Sequence, residues 1–201
     1  MKLIGMLDSP YVRRTAISLD LLGIAFEHDA LSVFSTFDAF AAINPVVKAP
    51  TLVLDDGTVL MDSTLIIDYF ERQTATPLLP SAAQPLAQAL SVVGLALAAC
   101  EKAVQIVYER NLRPAEKLHQ PWVARVTGQL LAACSALDRH WATTPLADGQ
   151  RPDQAALSSA VAWSFIQLMV PDVVKPADFP ALRSQAEQLE QTAVFKRYPM
   201  V

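Results

Sequence analysis

Apolar and polar positions change period several times over the first part of the chain and then settle into one. Lys2–Leu7 is a mostly apolar run closed by Asp8-Ser9-Pro10, which predicts a short strand followed by a helix start, since proline suits the first helical position. Apolar spacing from Tyr11 to Leu22 is helical, and Gly23 stands where a helix-terminating glycine belongs. Ile24–Leu31 predicts a second strand, and Thr36–Ile43 a short helix stopped by Asn44-Pro45. Thr51–Leu54 and Thr58–Met61 flank Asp55-Asp56-Gly57, a hairpin signal. Ser63–Gln73 predicts an amphipathic helix with Leu65, Ile66, Tyr69 and Phe70 on one face.

The resulting order, β-α-β-α-β-β-α, puts a parallel β-α-β unit ahead of an antiparallel hairpin and a covering helix, an α/β thioredoxin-like N-terminal domain over 1–75. Thr76–Gln84 is rich in Pro, Ser and Ala and reads as a linker over 76–84. Beyond it every periodic segment is helical, so 85–201 is expected to form an all-α domain. Leu86, Leu90, Val93, Leu97, Cys100, Val104 and Val107 predict a long helix with one seam. Val123, Val126, Leu130, Leu137 and Trp141 mark a second helix. Leu157, Val161, Phe165 and Leu168 mark a third, apolar nearly all round and therefore central. Pro180–Leu189 is a fourth, with a short tail from Val194 and Phe195.

Composition narrows the chemistry. Of 201 residues, 52% are hydrophobic and 18% charged, with a formal net charge of −4 and no basic stripe carrying aromatics, which argues against a nucleic-acid partner. The N-terminal apolar run is too short for a secretory segment. Ala89–Cys100, bounded by Gln88 and Glu101, reads as a buried helix rather than a membrane span. A cytoplasmic protein is expected, with Cys100 and Cys134 as buried thiols in a reducing compartment. His28, His119 and His140 lack ligand spacing, so no metal is expected. Six glycines form no phosphate-cradling loop, and Ser9 has no flanking glycine elbow of the hydrolase kind.

Ser9-Pro10-Tyr11-Val12-Arg13, Asn44-Pro45, Lys48-Ala49-Pro50-Thr51-Leu52, Asp62-Ser63 and the stretches Phe179–Leu182 and Thr192–Phe195 occur in an order and at a spacing that resemble the glutathione transferase superfamily along essentially the whole chain. The resemblance is greatest to bacterial members with serine after the first strand. It implies a homodimer that binds glutathione and conjugates it to a small electrophile. Two other functions remain open: a non-catalytic glutathione-binding or regulatory protein, and a glutathione-dependent peroxidase or reductase, the last disfavoured by serine rather than cysteine at position 9.

Conjugation needs a thiolate near neutral pH, and Ser9, at a strand-to-helix junction, is the candidate donor to it; the same serine also fits a plain N-cap. The resemblance implies a cis Ala49–Pro50 bond, with the Ala49 backbone pairing with the cysteinyl part of glutathione. Asp62 and Ser63 open a helix, whose N-terminus suits a carboxylate; Ser63 would hold the γ-glutamyl carboxylate and Asp62 its ammonium. Lys48 is the matched cation for the glycine carboxylate, and a solvated lysine is the alternative. Tyr11, Tyr108 and Arg110 are candidates for the electrophile pocket. Arg13 fits either a ligand contact or an inter-domain salt bridge. Two positions depart from the pattern: Ala49 replaces a usual valine, and Asp153-Gln154-Ala155-Ala156 keeps an acidic cap without a reciprocal acid.

Overall fold

Gly5 ends the first strand. Its φ of +138° is open to glycine, and a β-carbon there would come 2.5 Å from Val12 Cγ2, so the backbone turns tightly against the following helix. The computed structural model, which describes residues 1–200, thus shortens the expected strand Lys2–Leu7 to β1, Lys2–Ile4. Helix α1 (Pro10–Leu21) follows, then β2 (Glu27–Asp29), α2 (Phe37–Ile43), β3 (Thr51–Val53), β4 (Val59–Met61) and α3 (Ser63–Glu71). The sheet order is β2-β1-β3-β4, with β1 parallel to β2 and antiparallel to β3, and β3 antiparallel to β4. This is the thioredoxin-like arrangement expected from the pattern, although β2 covers only the middle of Ile24–Leu31.

Under the sheet, α1 and α3 contribute Val12, Ala16, Leu19, Ile66 and Phe70 to a core with Leu3 and Leu52. The expected face of α3 is corrected here. Ile66, Ile67 and Phe70 are buried, whereas Leu65 and Tyr69 are exposed, because the helix turns its contact stripe by one position.

Among the described residues, the second part is helical: α4 (Ala83–Asn111), α5 (Gln120–Thr143), α6 (Gln154–Met169), α7 (Pro180–Glu190) and α8 (Ala193–Arg197), with short 3-10 turns at Ala115–Lys117 and Pro176–Asp178. Helix α4 begins two residues inside the expected 76–84 linker. It is long and apolar enough to cross a membrane by length and composition; within the fold it packs against α5 and α6. Its seam is corrected too. Ala89, Val92, Val93, Ala96, Ala99, Cys100, Ala103 and Ile106 are buried, while Leu90 is exposed. Helix α6 is buried on nearly every side, as a central helix must be, with Leu168 the exception near its end.

The chain divides into two compact units, Met1–Leu79 joined by the stretch from Thr192 onward, and Pro80–Gln191. The expected domain over 85–201 therefore loses its last stretch to the first unit. Arg13 and Phe195 explain why. Arg13, 1% exposed, donates from Nε to the Tyr198 carbonyl at 2.8 Å, and its guanidinium lies 5.3 Å from the centre of the fully buried Phe195 ring.

Candidate functional site

Ser9 occupies the turn between β1 and α1. Its backbone is extended and its Oγ accepts from the Val12 N–H at 3.5 Å, with Pro10 as the first helical residue. A hydroxyl that accepts at a lone pair still has a proton to give, so capping and donation to a ligand are compatible in this one side chain. The dipole of α1 adds positive potential at the same end.

Beside this turn lies the loop from Asn44 to Pro50. Buried Asn44 donates from Nδ2 to Thr51 Oγ1 at 2.8 Å and accepts the Val46 N–H at 3.0 Å. Thr51 Oγ1 in turn donates to the Lys48 carbonyl at 2.7 Å. The network fixes a loop in which Val47, a β-branched residue, has φ of +51° and the Ala49–Pro50 peptide is cis. A β-carbon added at Gly5 would lie 3.2 Å from Ala49 Cβ, so Ala49 sits against the end of β1.

Asp62 also has a positive φ, +76°, at the entry to α3. Held strain of this kind at a polar residue points to function. Its carboxylate accepts the Thr64 N–H at 2.9 Å and meets Lys48 Nζ at 3.3 Å. Partial burial pushes the Asp62 carboxyl up, but the Thr64 N–H and the Lys48 ammonium outweigh it and hold the group below its ordinary value. Ser63 is buried, and its Oγ accepts from Arg14 Nη1 at 3.2 Å; the same nitrogen lies 3.4 Å from Thr64 Oγ1. Lys48, Asp62, Ser63 and Arg14 therefore form one cluster of alternating charge around the N-terminus of α3.

Residues 3–78 match the family model of the glutathione S-transferase N-terminal domain. A glutathione transferase family member from Pseudomonas fluorescens Pf-5, solved with bound glutathione, superposes with a TM-score of 0.83 at 27% identity, covering 98% of this chain and 97% of that one. Residues 3–78 are a glutathione S-transferase N-terminal domain, and the chain as a whole has the glutathione transferase fold. It is 36% identical over 77 residues to the uncharacterized GST-like protein YibF of Escherichia coli K12, covering 38% of each chain. It is 29% identical to the maleylacetoacetate isomerase of Pseudomonas aeruginosa, over 70% of this chain and 72% of that one. The matches to the first three curated relatives span only 38%, 61% and 54% of those proteins.

Within this glutathione-transferase-like fold the remaining candidates separate. Tyr11, half-buried, lies in the first turn of α1, and its carbonyl accepts from Thr15 Oγ1. Tyr108 and Arg110 belong to the helical unit; Tyr108 is exposed, and Arg110 binds Asp172 through two parallel hydrogen bonds of 2.9 Å. Arg13 ties down Tyr198 and Phe195 within the first unit. Asp153 caps α6 by accepting the Ala156 N–H at 2.8 Å, as its acidic cap position implies. No group of three or more His, Cys, Asp and Glu positioned for a metal occurs among the described residues. Arg14 is the site residue that sequence reading did not place. Its neighbour Arg13 carries the same charge, and no local signal tells which of the two reaches α3.

Proposed function

We propose that this protein binds glutathione and, through Ser9, holds its sulfur as a thiolate for attack on a small electrophile. The observation carrying this reading is Ser9 at the N-terminus of α1 with its hydroxyl proton uncommitted to the Val12 cap. The α3 cluster supports it: a tripeptide with two carboxylates and one ammonium suits Lys48, Asp62 and the Ser63–Arg14 pair, and bound glutathione in the Pseudomonas fluorescens relative favours the same ligand. Ala49, whose peptide bond precedes Pro50, would offer backbone N–H and C=O groups to the cysteinyl part of the ligand. A free thiol titrates near about 8.5, and a donated hydrogen bond with a helix N-terminus lowers that value. Attack forms a sulfur–carbon bond and breaks the bond to a leaving group, or adds across an activated double bond with a proton taken up at the neighbouring carbon.

The isomerase relative favours a second reading, in which the thiolate adds to an activated double bond and is expelled after rotation, so that glutathione is regenerated. Product analysis with a cis-activated alkene separates the two, since conjugation consumes glutathione and isomerisation does not. We further propose a cytoplasmic homodimer, to which exposed Val59 and Met61 on β4 and Leu65 and Tyr69 on α3 would contribute apolar surface.

Ser9→Ala is expected to lower kcat about 100-fold while the Kd for glutathione stays within about threefold, as for an interaction made to the thiolate. Its pH–rate profile is expected to move to higher pH, because the lost donor raises the bound thiol. Equal loss of affinity and turnover would overturn the role.

A further inference from the structure

The turn that carries Ser9 hangs from a glycine. Gly5 follows β1 directly, with φ of +138°, and Met6, Leu7 and Asp8 lead from it to Ser9. Glycine has no β-carbon to confine its backbone, so the peptide planes on either side of Gly5 are set by what holds its N–H and its carbonyl. Neighbouring residues of β2 hold both. The Gly5 N–H donates to the Asp29 carbonyl at 3.0 Å, and the Gly5 carbonyl meets Nε2 of the exposed His28 ring at 2.7 Å. A carbonyl only accepts, so His28 presents Nε2 with its hydrogen. The next carbonyl along, that of Met6, accepts the Ser9 N–H at 3.2 Å. One chain of contacts thus runs from the His28 ring through the Gly5–Met6 peptide to the Ser9 backbone.

We propose that His28 is a positioning residue for the thiol site: by donating to the Gly5 carbonyl it fixes the turn that aims the Ser9 hydroxyl at the sulfur of bound glutathione. The inference rests on the thiolate role proposed for Ser9. Two further observations support it. The Ser9 cap on the Val12 N–H is long, 3.5 Å, so the cap alone holds the serine loosely and the turn before it decides where Oγ points. Leu7, buried in the core, keeps the turn against the sheet, but apolar packing has no direction, whereas a hydrogen bond to the Gly5 carbonyl orients the peptide plane. A donor acts in full only within about 0.5 Å of its productive place, so freeing that plane weakens the bond to the sulfur without removing the serine.

The readout is the ultraviolet absorbance of the thiolate on protein saturated with glutathione, followed as pH rises, together with turnover of an activated aryl chloride. His28→Ala is expected to move the half-point of thiolate formation upward by about half a pH unit and to lower kcat about fivefold, with the Kd for glutathione within about twofold of the parent. His28→Gln keeps an N–H donor of similar reach and is expected to restore most of both. Glu27→Ala removes the exposed neighbour of His28 on β2 and is expected to change neither. The double variant decides the route: adding His28→Ala to Ser9→Ala is expected to change nothing beyond Ser9→Ala alone, because the ring acts through the serine. Multiplying effects in the double variant, a silent His28→Ala or a failed rescue by His28→Gln would overturn the proposal and leave the Ser9 reading standing. No thiolate signal in the parent, or an unmoved half-point in Ser9→Ala, would overturn that reading and this one with it.

Discussion

Arg14 has a side chain almost wholly buried, with a guanidinium nitrogen on two hydroxyls of α3. One nitrogen of a rigid planar guanidinium held between two hydroxyls is a placement that lysine's flexible stem does not reproduce. Arg14→Lys is therefore expected to weaken glutathione binding about tenfold, with kcat at saturating glutathione within about threefold of the parent, as titration calorimetry and steady-state kinetics would read. An unchanged Kd would mean that Arg14 supports only the α1–α3 packing. Val47 offers a test of the neighbouring loop. A β-branched residue in the left-handed region costs roughly 1–2 kcal/mol relative to ordinary backbone, and asparagine tolerates that region better. Val47→Asn is expected to raise the unfolding midpoint by an amount equivalent to up to about 1 kcal/mol, whereas Val47→Ile is not. At this scale the helix starts at Ser9 and at Asp62-Ser63 were legible because caps and turns are local chemistry written in residue type, whereas Lys48 entered only through the resemblance. Arg14 and Val47 were not legible. A buried arginine's partner is forty-nine positions away in the chain, and the φ of a valine that violates its own preference is imposed by the Asn44–Thr51 network.

The elements themselves followed the hydrophobic period closely, and where they departed the cause was packing between elements. On α4 the expected seam through Leu86, Leu90, Val93, Leu97, Cys100, Val104 and Val107 holds at Val93 and Cys100; the buried line otherwise runs through Ala89, Val92, Ala96, Ala99, Ala103 and Ile106. Small residues let neighbouring helices approach closely, so the contact line shifts toward alanine and the leucines flank it. A single-helix pattern carries no information about how near its partner comes. The last short helix departs for a similar reason. Val194 and Phe195 read as a tail, yet α8 packs on α1, with Phe195 fully buried, Arg13 bound to the Tyr198 carbonyl and Arg197 paired with Asp20. That dependence is measurable. Phe195→Ala is expected to cost about 3 kcal/mol in urea unfolding and to open the C-terminal segment to proteolysis, whereas Phe34→Ala, at a 58% exposed position, is expected to stay within about 0.5 kcal/mol of the parent.

Across the whole molecule, each unit contains a weak acid whose proton folding holds into the alkaline range. In the helical unit burial pushes the Cys134 thiol up to about 12 from 9.0. In the first unit burial, joined by the Asp20 hydrogen bond and charge and opposed by Arg197, pushes the Tyr198 hydroxyl up to about 12 from 10.0. Both groups hold their proton in the native state at a pH where the unfolded chain has lost it. Their contribution to stability is complete below the unfolded values and declines as pH rises through the window up to about 12. For the buried thiol the decline approaches roughly 1.4 kcal/mol per pH unit at its steepest. The two contributions are separable because Trp122, Trp141 and Trp163 all belong to the helical unit. Denaturant midpoints read by tryptophan fluorescence between about pH 8 and 11.5 are expected to fall with pH in the parent and to fall less steeply in Cys134→Ala, even though that substitution lowers the midpoint at neutral pH by removing buried volume. Tyr198→Phe is expected to flatten instead the alkaline release of the C-terminal segment, followed by proteolysis. Identical pH slopes for the parent and Cys134→Ala would show that the thiol proton is not what ties the helical unit's stability to alkaline pH.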